Sequence, residues 1–246
     1  MGLAALALAP GLAVGSFLNV LAARLPLRRS VVRPRSACMS CGTELAWYDN
    51  VPLVSYAVLR GRCRHCHASI SWRYPAVEGV TALLVAAAAL KFGPTWDFPV
   101  AAVFLCILVA ISATDLERRV IPNRIVVPGT VVLLAANTVL HPSVEWAIAG
   151  AGAGLVLLLI ALAKPGGMGM GDVKLAALMG VMLGRVVPIA ILLGMLAAMI
   201  PSIVLFARHG RAARKMKIPL GPFLAIGGVI GLFAGHSILH WYLGVH

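Results

Sequence analysis

The sequence predicts an all-α polytopic membrane protein, with about eight transmembrane helices and a small cytoplasmic zinc-binding insert between helices 1 and 2. Three observations predict it. Of the 246 residues 61% are apolar and only 12% charged, where a soluble domain carries roughly 45–50% and 25%. Several apolar runs are long enough to cross about 30 Å of hydrocarbon. The first two runs are separated by a polar stretch that carries four of the five cysteines. A soluble single-core enzyme is excluded.

The first apolar run covers residues 3 to 23. It lacks the basic start and small-residue cleavage site of a secretory signal and reads as a retained helix. Arg24, Arg28, Arg29, Arg33 and Arg35 follow at once, and such a cluster marks a cytoplasmic helix end, so the N-terminus is expected outside. Residues 34 to 74 are too polar to span and form the insert. Further runs lie near 76–92, 98–114, 125–140, 146–163, 173–184, 186–206 and 219–243, divided by Gly, Pro or charged breaks. Alternate threading leaves only Lys91 and Arg185 of the 21 Lys and Arg on the outer side. Run 173–184 is short, about 18 Å at 1.5 Å per residue. Joining it to 186–206 would overshoot the bilayer and throw the basic residues from Arg208 to Lys217 outside, so two helices are expected, the first with a recessed start. Gly150, Gly152 and Gly154 have the spacing that suits close helix packing. The expected organisation is residues 1–33 for the first helix and its basic flank, 34–74 for the insert, and 75–246 for a seven-helix membrane domain.

Within the insert, Cys38-Met39-Ser40-Cys41 and Cys63-Arg64-His65-Cys66 form two CxxC pairs, close to the spacing of a zinc site. Zinc takes four thiolates in a tetrahedron and can stabilise a segment with little core. The competing reading is disulfides, which the expected reducing compartment disfavours. His65 and His67 read as surface histidines, and Cys106, alone in mid-helix, as packing. The insert's arginines could suggest nucleic acid. Beside a membrane helix they fit anionic lipid headgroups better, so lipid is the expected partner and nucleic acid is not.

The net charge of +13 leaves only eight carboxylates. Asp115 ends the third apolar run and Asp172 starts the sixth, after a glycine-rich loop that includes Gly169 and Gly171. Threading puts both at one depth on the cytoplasmic face, and ionisable groups at membrane helices are usually functional. Two carboxylates brought together share one proton. Such a pair can activate water: the charged member takes its proton, the protonated one polarises a peptide carbonyl, and the roles reverse as the amine leaves. The glycines would bring backbone close to an extended substrate and admit left-handed turns. Plainer readings compete: Asp115 paired with Arg118 or Arg119, and Asp172 placed for the helix dipole. Glu44 and Asp49 in the insert, and Asp97 and Glu145 in outer loops, read as solvated; Glu117 reads as locally paired. Glu78 could hold an arginine of the insert or serve a substrate or cofactor site.

Together these residues resemble the type IV prepilin peptidase family, membrane aspartyl proteases with a GxGD motif. The resemblance runs through almost the whole chain: Gly15-Ser16-Phe17-Leu18-Asn19, both CxxC pairs, Asp49-Asn50-Val51-Pro52, Arg73-Tyr74-Pro75 with Glu78, Asp115 with Ile121-Pro122, Gly169-Met170-Gly171-Asp172, and Gly221-Pro222-Phe223. Met39 and Leu220 depart from the family's common Pro and Phe. The resemblance implies an aspartyl endopeptidase of the bacterial inner membrane that cuts the leader from type IV prepilins or pseudopilins, with Asp115 and Asp172 as the acids and the active site facing the cytoplasm. It also implies N-methylation of the new N-terminus with S-adenosylmethionine. The alternative from another class is a transporter with a zinc-stabilised regulatory module, which would use charges near the bilayer midplane.

Overall fold

A computed structural model describes residues 2–27, 29–33, 35–164, 168–210 and 218–243. Among these residues there are nine α-helices: α1 (Gly2–Arg24), α2 (Val54–Val58), α3 (Arg73–Phe92), α4 (Asp97–Arg118), α5 (Asn123–Leu140), α6 (Glu145–Ala163), α7 (Met170–Leu183), α8 (Val187–His209) and α9 (Gly221–Leu243). All but α2, which lies in the insert, coincide with the eight expected apolar runs. Two compact units divide the chain, 1–113 and 114–246.

In the N-terminal unit α1 packs along α3, and the first half of α4 joins them. Ala7, Val85 and Ala89 form a small buried cluster against which Phe98, Ala102 and Cys106 pack. Cys106 is thus a packing residue, as expected. Side chains such as Leu6 on α1 and Leu83 on α3 remain exposed, and a hydrocarbon bilayer is the solvent that suits them.

The C-terminal unit is organised around α7, the most completely buried of its helices. Seven stretches are long and apolar enough to cross a membrane, with Met170–His209 counted as one of 40 residues. That stretch is two helices. A single 3₁₀ turn, Gly184–Val186, separates α7 from α8, and Gly184 takes φ +55°, a left-handed value that stops a helix cheaply only with glycine. The direction of the chain reverses there. Leu183, ending α7, touches Gly231 of α9; beyond the turn Val186 lies on Gly235, whereas Gly194 lies on Phe223 and Leu224, so α8 runs antiparallel to α9. The side chain of Glu145 at the start of α6 secures the turn, accepting from the Arg185 backbone at 2.8 Å and pairing with its guanidinium at 2.9 Å. Glu145 is therefore a helix-end clasp rather than the solvated loop residue expected, and Asp97 likewise opens a helix, α4.

Of the three glycines read as packing positions, Gly150 and Gly154 face α7 at Val181 and Ala177, while Gly152 has open space before it. Polar contacts of Asn137 and Lys174 hold α7 to α5. Asn137, buried, donates to the Val181 carbonyl at 2.7 Å, and Lys174 donates to Asn123 at 2.9 Å.

Candidate active site and metal centre

The two aspartates singled out by sequence both belong to the C-terminal unit and are both nearly buried, Asp115 at 6% exposed and Asp172 at 9%. Asp115 closes the last turns of α4. Its Oδ2 accepts from the Gly221 N–H at the start of α9, at 2.9 Å. Asp172 stands in the first turn of α7, where its Oδ2 accepts from the Gly169 N–H at 3.1 Å. This is one half of a capping box, since Gly169 has no side chain to return the bond. The two carboxylates are close enough for the charge of Asp115 to act on Asp172. Each keeps its other oxygen without a hydrogen-bond partner among the described residues.

The plainer readings can now be weighed. Asp115 forms no ion pair with Arg118 or Arg119 among the described residues; Arg118 turns to Glu117 instead, at 3.9 Å, so Glu117 is locally paired as expected. Asp172 does cap its helix, and this leaves its second oxygen available. The expectation of left-handed turns at the glycine loop is corrected. Gly169 has φ −80° and Gly171 lies inside α7. Gly171 serves close approach instead, because a Cβ there would fall 2.8 Å from the Cβ of Ile121, which locks the 121–123 segment to the start of α7. Gly166 and Gly167 lie outside the described residues.

Gly221 is the residue that sequence reasoning noted only as part of a resemblance. A Cβ on it would stand 2.8 Å from Asp115 Oδ2. Gly221→Ala is therefore expected to displace the carboxylate and lower the leader cleavage that the resemblance implies by roughly 10²-fold, the usual cost of misplacing a reacting group by about 1 Å. Steady-state cleavage assays check this, with thermal melts to show that the fold survives.

The four predicted cysteines converge. Their Sγ atoms all lie within 4.8 Å of one another, and Cys38 and Cys66 are 3.7 Å apart. A tetrahedral zinc with bonds of about 2.3 Å sets its sulfurs about 3.8 Å apart, whereas a disulfide needs about 2.05 Å. All five cysteines are free thiols, so the donor set fits a dication. The two halves are matched. Cys38 N–H bonds to Thr43 O and Gly42 N–H to Cys38 O; equally, Cys63 N–H bonds to Ala68 O and His67 N–H to Cys63 O. Backbone N–H groups of Cys41 and Ser40 lower the Cys38 thiol below its ordinary range, and those of Cys66 and His65 lower Cys63. At Cys66 the Ala68 N–H also lowers the thiol, but loss of solvent and the three neighbouring sulfurs outweigh it and push the pKa up to about 11. Four crowded thiolates repel one another, and a bound dication removes that repulsion.

His67 occupies the place that Gly42 has in the first half, and both have positive φ, +56° and +72°. It stands outside the sulfur cluster, in agreement with its reading as a surface residue. His67→Gly is expected to retain stoichiometric metal and to stabilise the insert by about 1 kcal/mol, the usual cost of a left-handed non-glycine residue. Metal analysis and chelator-induced unfolding check this.

Asp49 is corrected from solvated to held. Arg64 grips it through two nitrogens, with Nη2 2.6 Å and Nε 3.0 Å from Oδ1. The guanidinium keeps the Asp49 carboxyl below its ordinary range. Glu78, 8% exposed on α3, does not hold an arginine among the described residues. Its Oε2 accepts from the Leu53 N–H at 2.9 Å, and Ser16 of α1 bonds to it as well.

A multi-pass helical membrane protein, with two buried acids at one end of its C-terminal unit and a four-thiolate insert in its N-terminal one, is the class these observations define. The chain belongs to the type IV leader peptidase family. Residues 10–92 match the Bacterial Peptidase A24 N-terminal domain, and residues 102–203 match the Type IV leader peptidase family. A prepilin leader peptidase/N-methyltransferase of Bacillus subtilis is 35% identical over 95% of this chain and 95% of its own length. One of Pseudomonas aeruginosa is 37% identical over 95% and 91% respectively. One of Myxococcus xanthus is 50% identical, over 48% of this chain and 36% of its own. No solved structure matches the chain. The transporter alternative finds no support in these relatives.

Proposed function

We infer that this chain is a multi-pass inner-membrane enzyme that removes the leader peptide from type IV prepilins or pseudopilins and N-methylates the new amino terminus. Two buried carboxylates, each steadied by a glycine N–H and each with one oxygen to spare, carry the peptidase reading. In this reading Asp115 and Asp172 share one proton. The ionised member draws a proton from water, whose oxygen adds to the scissile carbonyl, while the protonated member donates to the carbonyl oxygen. Collapse of that adduct breaks the C–N bond, and the proton taken from water goes to the leaving amine. The dyad titrates as a unit, so neither acid is given a fixed role.

Cys38, Cys41, Cys63 and Cys66 would hold structural Zn²⁺. When bound, S-adenosylmethionine would supply an electrophilic methyl group for the new amine, with S-adenosylhomocysteine and a proton as the other products. The distribution of Lys and Arg supports an N-terminus outside and acids at the cytoplasmic face. There the exposed Trp47 and Trp72 and the basic flank of α1 suit anionic lipid headgroups.

Purified protein with a prepilin and isotope-labelled S-adenosylmethionine tests both activities by mass spectrometry. Loss of the leader and a labelled methyl on the new N-terminus are expected; an uncut substrate sinks the peptidase reading, and a cut but unlabelled product sinks the methylation.

A further inference from the structure

The N-terminal unit contains a cavity of about 420 Å³ that the peptide-cutting acids do not use. It lies between α1, α3 and the insert. Ser16 and Asn19 come from α1, Tyr74 and Glu78 from α3, and Leu53 and Tyr56 from the insert, with both CxxC halves, at Cys38 and Cys63, contributing to the wall. Its volume is that of a small-molecule site, which falls at about 300–1,000 Å³.

Its charges are unevenly committed. Asp49 is neutralised by Arg64. Glu78 has only a backbone N–H and a hydroxyl, and no cation among the described residues, so a negative charge at the cavity wall lacks its counter-charge. Arg24, also on the wall, gives one N–H from each terminal nitrogen to the carbonyls of Ser30 and Arg35, which leave its charge uncancelled and its other donors available. The two poles are nine residues apart along α1, from Gly15 beside Glu78 to Arg24, or about 13 Å at 1.5 Å per residue. Tyrosine rings beside a carboxylate receive soft organic cations well, because the ring face is negative. Leu53, whose N–H binds Glu78, has φ +58°, a strained value for leucine. The acid is thus held by a backbone conformation that has a cost of its own.

We propose that this cavity is the S-adenosylmethionine site and that the carboxylate of Glu78 faces the sulfonium. The cofactor carries matching charges, a sulfonium to meet the acid and, at the far end of its methionine chain, a carboxylate to face the Arg24 pole. The proposal rests on the methyltransferase reading above. Because the sulfonium becomes a neutral thioether after transfer, the same contact would favour substrate over product and assist release of S-adenosylhomocysteine.

Calorimetric binding to the full-length, zinc-loaded protein in detergent, with S-adenosylmethionine and S-adenosylhomocysteine as the two probes, tests the proposal. Glu78→Gln is expected to weaken the sulfonium compound by about tenfold or more, as loss of a charge-assisted contact does, and the thioether by much less. Val20→Trp, which fills the cavity from its α1 wall and leaves the Glu78 carboxylate in place, is expected to remove both. Zinc content and helical circular dichroism show whether each variant folds. Equal losses of both probes in Glu78→Gln would mean that the acid merely holds Leu53, and would overturn its role at the sulfonium. Wild-type affinity for both probes in Val20→Trp would place the cofactor elsewhere. If the unaltered protein binds neither compound, it is the methyltransferase reading that fails.

Discussion

Asp115→Asn and Asp172→Asn are each expected to lower the rate of leader cleavage by roughly 10²–10⁴-fold, the range that general acid–base groups contribute. Asparagine keeps the shape of the side chain and can keep the bond from the Gly221 or Gly169 N–H, so the fold should persist. What it cannot do is exchange a proton with water or with the leaving amine. The double variant should be little worse than either single one, because two groups that act as a unit do not add. Single-turnover cleavage of a prepilin measures this, with metal content as the check on folding. Near-normal cleavage by a folded single variant would remove Asp115 and Asp172 from the chemistry.

Loss of the metal is expected to be as severe, but in the other unit. Among residues 36–72 of the insert only Ser55, Gly61 and Cys63 are buried, so no aliphatic core holds it together. Trp47 and Trp72 point out at 82% and 71% exposed. The four sulfurs are its core. Cys41→Ser with Cys66→Ser, or a strong chelator, should bring zinc from stoichiometric to none and open the segment to protease. It should also abolish binding of S-adenosylmethionine, since Leu53 and Tyr56 line the cavity proposed for it. The acids belong to the other compact unit, so cleavage should fall far less than methylation. Limited proteolysis and metal analysis read the first effect, and the ratio of the two activities the second. A metal-free insert that stays as resistant to protease as before would show that something other than zinc organises it.

Much of this was legible in the chain because each signal is local. An apolar run announces its helix through its own composition, and the CxxC pairs announce their convergence through the spacing of four like donors. The scarcity of carboxylates made Asp115 and Asp172 visible. Less legible were contacts between residues far apart in sequence. Asp49 and Glu145 look like solvated acids until Arg64 and Arg185 are brought to them. The glycine loop suggested left-handed turns, but Gly171 is helical, and its missing side chain matters because Ile121 approaches it. Gly221 offered one faint signal, its position at the start of the last helix, at the level threading assigns to Asp115.

By itself, then, the sequence determined a multi-pass helical membrane protein and the family to which it belongs, and it singled out the four cysteines that cluster and the two acids proposed for the chemistry. These follow from residue type and spacing, which hydrophobic partition and coordination chemistry read directly. Only the tertiary structure decided which backbone N–H steadies each acid, that Glu145 clasps Arg185 at the Gly184 turn, and that Glu78 lies unpaired by any described cation at the wall of a cavity. Those depend on the approach of segments tens of residues apart, and close packing sets such distances to a fraction of an ångström in a way that no local pattern encodes.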